Sequence, residues 1–234
     1  MRHAGRMTLS STALSPTERS TLRRHRERAR SDRAELYALL DTCLVCHLGL
    51  VADGAPVVLP TGYGRDGDTL YLHGSSGAAS LLTAAAGAPV CVAVTRMDGV
   101  VFARSVFSHS ANYASAVVHG TAHEVTDDSA KTDGLRVIVE HLAPGSWDHA
   151  RQPTRRELAA TRVLALPLAE ASLKVRTGPP AHDEPAAAAW AGVLPITRGW
   201  GTPEPCPRLP AGTAVPPHVR DRSPLAPPCA RSAR

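Results

Sequence analysis

Between Tyr71 and Ser80 the chain reads YLHGSSGAAS, a stretch dense in residues able to do chemistry. His73 titrates near neutrality and can hold or move a proton. Ser75 and Ser76 offer hydroxyls at a glycine-flanked corner that opens into a small-residue helix. The start of a helix presents unpaired backbone N–H groups and the positive end of the helix dipole, so such a corner suits an anion, a phosphate above all. A hydrolase would need a base beside one of the serines, and nothing local supplies it. No G-x-S-x-G elbow, Walker sequence or G-x-G-x-x-G occurs. The serine corner is therefore read as a phosphate-binding corner.

A second cluster lies in FARSVFSHSANY, where Arg104, Ser105, His109, Ser110, Asn112 and Tyr113 fall between two apolar runs. Its plain reading is a polar surface turn. Its functional reading places donors at the rim of a bound ring system or against a substrate anion. There Arg104, or His73 from the first cluster, would stabilise developing negative charge. For His73 the alternative is a histidine held by a backbone hydrogen bond.

Two further patterns carry less. Cys43-Leu-Val-Cys46-His47 matches the C-x-x-C-H signature of covalent haem attachment. In a strand, however, residues three apart point to opposite faces, and the N-terminus MRHAGRMTLSSTALS lacks the apolar region of an export signal. His119 and His123 are four residues apart, about 13 Å along a strand, too far for one metal ion. They read as wall histidines, and no metal is expected.

The elements that must position these groups follow from pattern. Pro16 to Leu40 reads as a helix with Leu36, Leu39 and Leu40 on its apolar stripe. Cys43 to Val51 is an apolar strand ended by the turn Asp53-Gly54. Val57 to Thr61 and Thr69 to His73 are strands about a Gly64–Asp68 turn, and Ser76 to Ala86 is the small helix. Val90 to Thr95 and Val100 to Ser105 are strands about an Asp98-Gly99 turn. Tyr113 to Val125 is a long strand bent at Gly120, Asp127 to Leu142 a helix, Arg155 to Ala160 a helical turn, and Val163 to Val175 a last strand. The expected fold is α+β, a six- to seven-stranded antiparallel split barrel with a few flanking helices. Three regions are expected: a basic arm and helix start (1–33), the barrel domain (34–178) and a proline-rich tail (179–234) with the apolar stretch WAGVLPI docked.

Charge placement narrows the partners. The net +5 divides unevenly: residues 1–33 hold nine Arg against three acids, 34–178 eleven basic against fourteen acidic residues, and the tail six against four. Nucleic-acid binding would put the positive charge on the folded middle, so LRRHRERAR is read as a solvated helix face or docking arm. No apolar run is long enough to cross a membrane. Five cysteines without a framework spacing fit a reducing cytoplasm.

In order and kind, YLHGSS, ARSVFSHSANYASAVVHGTA, EHLAPGSW, LKVRTGPP and WAGVLPI resemble the FMN-binding split-barrel flavoproteins related to pyridoxamine 5′-phosphate oxidase, and within them the branch of nitroimidazole-resistance reductases. The resemblance implies a homodimer with FMN at the subunit interface and a small-molecule substrate reduced through the flavin. It places Val58, Leu59, Pro60 and Thr61 along the flavin and its ribityl chain, Tyr71, His73, Ser75 and Ser76 at the phosphate, and Arg104, Asn112, Tyr113 and Ser115 near the ring. Trp190 would cover the flavin from the partner subunit. The chain departs from the oxidase where an Arg-Lys pair would follow Ser76, since Gly77-Ala78-Ala79 stands there. That departure leaves room for a deazaflavin or non-covalent haem, and for a carrier without turnover.

Overall fold

The structure, a computed structural model, describes residues 13–14, 17–180 and 188–223. In chain order its elements are β1 (Ala29–Arg30), α1 (Arg33–Thr42), β2 (Val45–Ala52), β3 (Ala55–Asp66), β4 (Thr69–Ser75), α2 (Ala79–Ala85), β5 (Pro89–Phe102), β6 (Ser110–Thr121) and β7 (His123–Glu124). Then come α3 (Asp128–Leu142), α4 (Ser146–His149), α5 (Arg155–Ala160), β8 (Thr161–Pro167), β9 (Glu170–Arg176), β10 (Gly192–Pro195) and α6 (Pro217–Arg220). All strand pairs are antiparallel. They run β1-β9-β6-β5-β2-β3-β4-β8-β7, with β10 added to the far end of β5.

Apolar alternation decides which side of this sheet is core. Leu48 and Leu50 of β2, Leu70 and Leu72 of β4, Val90, Val92 and Val94 of β5, and Leu164 and Leu166 of β8 are all buried and form one cluster with Leu36, Leu39 and Leu40 of α1. Strands from both ends of the sheet thus share one core. α3 closes part of the other side, where Gly64 lets its backbone approach: a Cβ there would stand 2.6 Å from Val137 O.

Ten strands are found among the described residues where six or seven are expected, and the differences have local causes. The expected helix from Pro16 begins only at Arg33, because Asp32 takes the N-cap and accepts from Ala34 N–H (2.8 Å). Most of the arginine run instead forms a 3₁₀ turn and β1, laid against β9. Asp98-Gly99 is no turn. β5 runs straight through it with a bulge against β6, and Asp98 is buried in an ion pair with Arg96 (2.8 Å). The expected turn at Gly64–Asp68 shrinks to Gly67-Asp68, since β3 continues to Asp66. The long strand from Tyr113 stops at Thr121, and His123–Glu124 moves to the other sheet end beside β8. The last expected strand divides at Leu168-Ala169 into β8 and β9, which pair with different neighbours.

Two local expectations hold. Asp53-Gly54 is a tight hairpin turn with both residues at positive φ (51° and 77°). Asp127 caps α3 by accepting from Ala130 N–H (2.8 Å). In the tail, Gly192–Pro195 forms β10. No helix among the described residues is long and apolar enough to cross a membrane.

Candidate functional site: a crevice where β3 leaves β4

β3 changes partner along its length. Ala55 to Gly62 pair with β2, while Tyr63 to Asp66 pair with β4. Beyond the Tyr63–Leu72 pair the two strands part, so among the described residues one edge of β3 from Gly62 back to Ala55 has no strand beside it, nor has the facing edge of β4 from His73 to Ser75, whose other edge stays paired with β8. A crevice opens between them, with α2 starting at its end. The loss of pairing shows in exposure: Ala55, Pro56, Val58, Leu59 and Pro60 are all exposed, Val58 at 66%.

Around this crevice stand most of the first cluster and of the strand expected to line a flavin. Val58 and Pro60 point to the side away from the core, as their partners Gly49 and His47 do. Leu59 pairs with Leu48, and Thr61 with Cys46, so both turn toward the core rim. His73 lies opposite Val163 and is half-buried, and its Nδ1 is sealed from solvent without a hydrogen-bond partner. Burial draws its pKa below the ordinary value, so the ring stays neutral at neutral pH.

The serine corner is more self-contained than the sequence suggests. Ser76 N–H donates to Ala160 O (2.9 Å), Ala78 N–H to Ser75 O (3.0 Å) and Gly77 N–H to Ser75 Oγ (3.3 Å). The first intrahelical bond runs from Leu82 N–H to Ala78 O. The amides left for a ligand are therefore those of Ala79, Ser80 and Leu81, one turn later than the serines. A charge stands here that sequence reasoning missed. Arg162, on β8 opposite Gly74, donates from Nη1 to Ser76 O (2.6 Å) and from Nε to Glu124 Oε1 (2.9 Å). It lies 86 residues from Ser76, and no local pattern announces it.

Tyr71 does not face the crevice. Its ring packs under α3, with Cδ1 3.1 Å from where a Cβ at Gly134 would stand. The second cluster is a separate place. Asn112 is buried; its Nδ2 donates to Gly178 O (3.2 Å) and its Oδ1 accepts from Arg176. Tyr113 and Ser115 lie on the outer face of β6, where Ser115 Oγ accepts from Thr95 Oγ1 (3.4 Å). Arg104 is half-buried in the loop after β5. Trp190 is 68% exposed, its ring 5.9 Å from that of Phe102. Ala93 of β5 lies level with His47 and Pro60, and Phe102 is nine residues further on, about 30 Å along the strand. Within one chain the crevice and Trp190 do not meet.

The C-x-x-C-H residues do not converge on one group either. Cys43 sits at the end of α1 rather than in the strand, so its thiol enters the same core as Cys46, while His47 is exposed on the other face. The expected divergence of the two sulfurs is thereby corrected. Burial pushes the Cys46 thiol up to about 12. No group of acids, histidines and cysteines among the described residues could hold a metal ion.

The antiparallel sheet, with β3 and β4 parting beside the start of α2, belongs to an identifiable class. The chain belongs to the pyridoxamine 5′-phosphate oxidase family, whose sequence model matches residues 32–175. It is similar to the FAD and heme binding protein from Mycobacterium smegmatis, at 42% identity over 84% of this chain and 98% of that one, TM-score 0.81. It is also similar to the flavocytochrome Anf3 from Azotobacter vinelandii, at 37% identity over 88% of this chain and 97% of that one, TM-score 0.83. A protein from Bacteroides thetaiotaomicron assigned to 5-nitroimidazole antibiotic resistance is 21% identical over 63% of this chain and 86% of that one, TM-score 0.55, a likeness of fold alone. Comparison with curated protein sequences finds no match.

Proposed function

We propose that this chain is a flavin-binding redox protein that works as a homodimer, each flavin lying in one copy's β3–β4 crevice under the Trp190 end of the other. The observation that carries the reading is the parting of β3 from β4. It sets an exposed apolar strand, the half-buried neutral His73 and the first-turn amides of α2 at one place.

Each chain element has a stated part. Ala79, Ser80 and Leu81 N–H groups face the phosphate, and Arg162 supplies beside them the positive charge that the missing Arg-Lys pair does not. Val58 and Pro60 line one ring edge, Trp190 of the second copy covers a face, and neutral His73 exchanges a hydrogen bond with the ring through Nε2, the nitrogen that is not sealed. When bound, the flavin supplies hydride and single-electron chemistry. Arg104, on the Trp190 side, stabilises negative charge on a substrate or on the ring.

The flavin is FAD rather than FMN, and haem is a second bound group. Both statements rest on the two relatives that match over nearly their full lengths, an FAD and heme binding protein and a flavocytochrome. The function is then electron transfer through flavin and haem. The FMN-dependent reduction of a small electrophile is the alternative.

Protein purified from a host supplied with riboflavin and a haem precursor gives the answer. A flavin band together with a Soret band, FAD on chromatography of the extracted cofactor, and twice the chain mass in sedimentation are expected. A flavin band without a Soret band and with FMN extracted would favour the alternative. A colourless monomer that takes up neither FMN, FAD nor haem would overturn both.

A further inference from the structure

Toward the β1 end of the sheet, away from the crevice, positive charge outweighs negative charge among the described residues. Arg176 ends β9 and is only 6% exposed. It donates from Nη1 to Asn112 Oδ1 and Gly178 O and from Nη2 to Pro179 O, all neutral acceptors. No carboxylate pairs with it among the described residues. Its Nε makes no hydrogen bond among the described residues and is not fully sealed, so it keeps a narrow contact with solvent. Nε and Nη2 form one edge of the guanidinium, the edge that grips an oxyanion by two parallel hydrogen bonds.

Two more cations surround that edge. Lys174 is two residues back on the same face of β9, paired with Ser115 on one side and Ala29 on the other, and it forms no ion pair among the described residues. Arg28 directly precedes Ala29, the β1 residue paired with Lys174, which brings it beside this end of β9; its own acid, the exposed Glu27, is 3.6 Å away and also contacts His25. Burial first and Arg28 second draw the Arg176 pKa below the usual arginine value, the signature of cations held together at a cost. Tyr113, opposite Arg176 on β6, adds a hydroxyl.

We propose that Arg28, Lys174 and Arg176, with Tyr113, form an anion site on the outer face of β9 that takes a phosphate group of a small ligand. Among the described residues the exposed Glu27 is the one carboxylate that pairs with any of the three cations, so the cluster keeps an excess of positive charge that matches a dianion better than a single negative charge, which selects phosphate over carboxylate. β9 is four strands from β3, about 19 Å across the sheet, so this is not the phosphate end of the same chain's crevice. The site stands whether or not a flavin occupies the crevice.

Inorganic phosphate added to the full chain, against potassium chloride at equal ionic strength, tests it by thermal unfolding. A saturable rise of the midpoint is expected. In Arg28→Gln and in Lys174→Gln, both surface changes that leave the core intact, the half-saturating concentration rises about tenfold, equal to about 1.4 kcal/mol per lost contact. In Arg136→Gln, an exposed change on α3, the phosphate response stays as in the parent. A phosphate response untouched by Arg28→Gln and Lys174→Gln, one lost with Arg136→Gln, or an equal response to acetate would each overturn the assignment.

Discussion

The Arg162→Met substitution separates what holds the serine corner from what a ligand there would need. Arg162 is 15% exposed at its side chain and Glu124 31%, so the pair sits between core and surface. The substitution removes two charge-assisted hydrogen bonds, to Glu124 Oε1 at 2.9 Å and Ser76 O at 2.6 Å, while keeping most of the side-chain volume. Such a bond contributes about 1.5–3 kcal/mol when well buried. Removing one partner of a fully buried pair costs about 3–5 kcal/mol, because the other charge is stranded. Here water reaches Glu124, and Ser76 O lies at an open corner, so both figures shrink. The expected loss is about 2 kcal/mol, or about 4–8 °C in unfolding midpoint for a domain of this size.

Urea unfolding of Arg162→Met, Glu124→Gln and the double variant measures it. The double variant should recover about 1 kcal/mol of the sum, since Gln no longer strands a charge. Flavin retention through gel filtration is the second readout, and it should fall at least about tenfold in Arg162→Met. A stability change below about 0.5 kcal/mol would show that the two hydrogen bonds do not hold the corner. A full stability loss with flavin retention unchanged would show that the corner is not the phosphate end.

Two other outcomes follow from single contacts. Gly64→Ala sets a Cβ 2.6 Å from Val137 O, 2.7 Å from Val137 C and 2.8 Å from Ile138 Cα, all backbone atoms unable to rotate away. It should cost about 3 kcal/mol in urea unfolding, against less than about 0.5 kcal/mol for Gly62→Ala, whose Cβ meets nothing within 4 Å. Equal costs would remove the close approach of α3 as the reason for glycine. For His73, burial lowers the folded pKa below the ordinary 6.5, so the unfolded chain binds the proton first. Its contribution is therefore complete above the unfolded value and is lost as pH falls from about 6.5 toward the lowered folded value. Stability of the cofactor-free protein should decline more steeply over that window than in His73→Phe, and parallel curves would refute a buried neutral imidazole.

Local chemistry made half of this molecule legible. Asp53-Gly54, the Asp127 cap and the apolar alternation of β2 and β4 depend on residues within a few positions of one another, and their patterns announced them. The true start of α1 was equally readable, for Asp32 with Glu35 three residues on is a capping pattern. The misreadings share another cause. Asp98-Gly99 has turn composition, yet Gly99 is there because a Cβ would stand 2.9 Å from Leu194 O of a strand 95 residues later. Arg162 at the corner and Arg176 against Asn112 are likewise assembled by topology, and one sequence carries no spacing signal for either. The two candidate clusters were sound as lists of chemistry, but the sequence could not say that β5 carries Phe102, beside Arg104 and Trp190, about 30 Å along from Ala93, which is level with the crevice strand.

That separation gives the exposed edge of β3 its meaning. An uncovered apolar strand invites another strand to add to it, with aggregation as the usual result. Pro56 and Pro60 oppose this, for a proline in a strand turns its donorless nitrogen to the open side. Alternate residues of an antiparallel strand direct N–H and C=O to the same side, so of residues 56, 58 and 60 only Val58 offers the open edge an N–H. A strand would find too few donors there, whereas a flat ligand needing one or two hydrogen bonds and much apolar contact finds what it requires. The edge is thus closed to β-pairing and open to a ring. In the proposed dimer the Trp-bearing surface, about 30 Å away in the same chain, comes to it from the second copy.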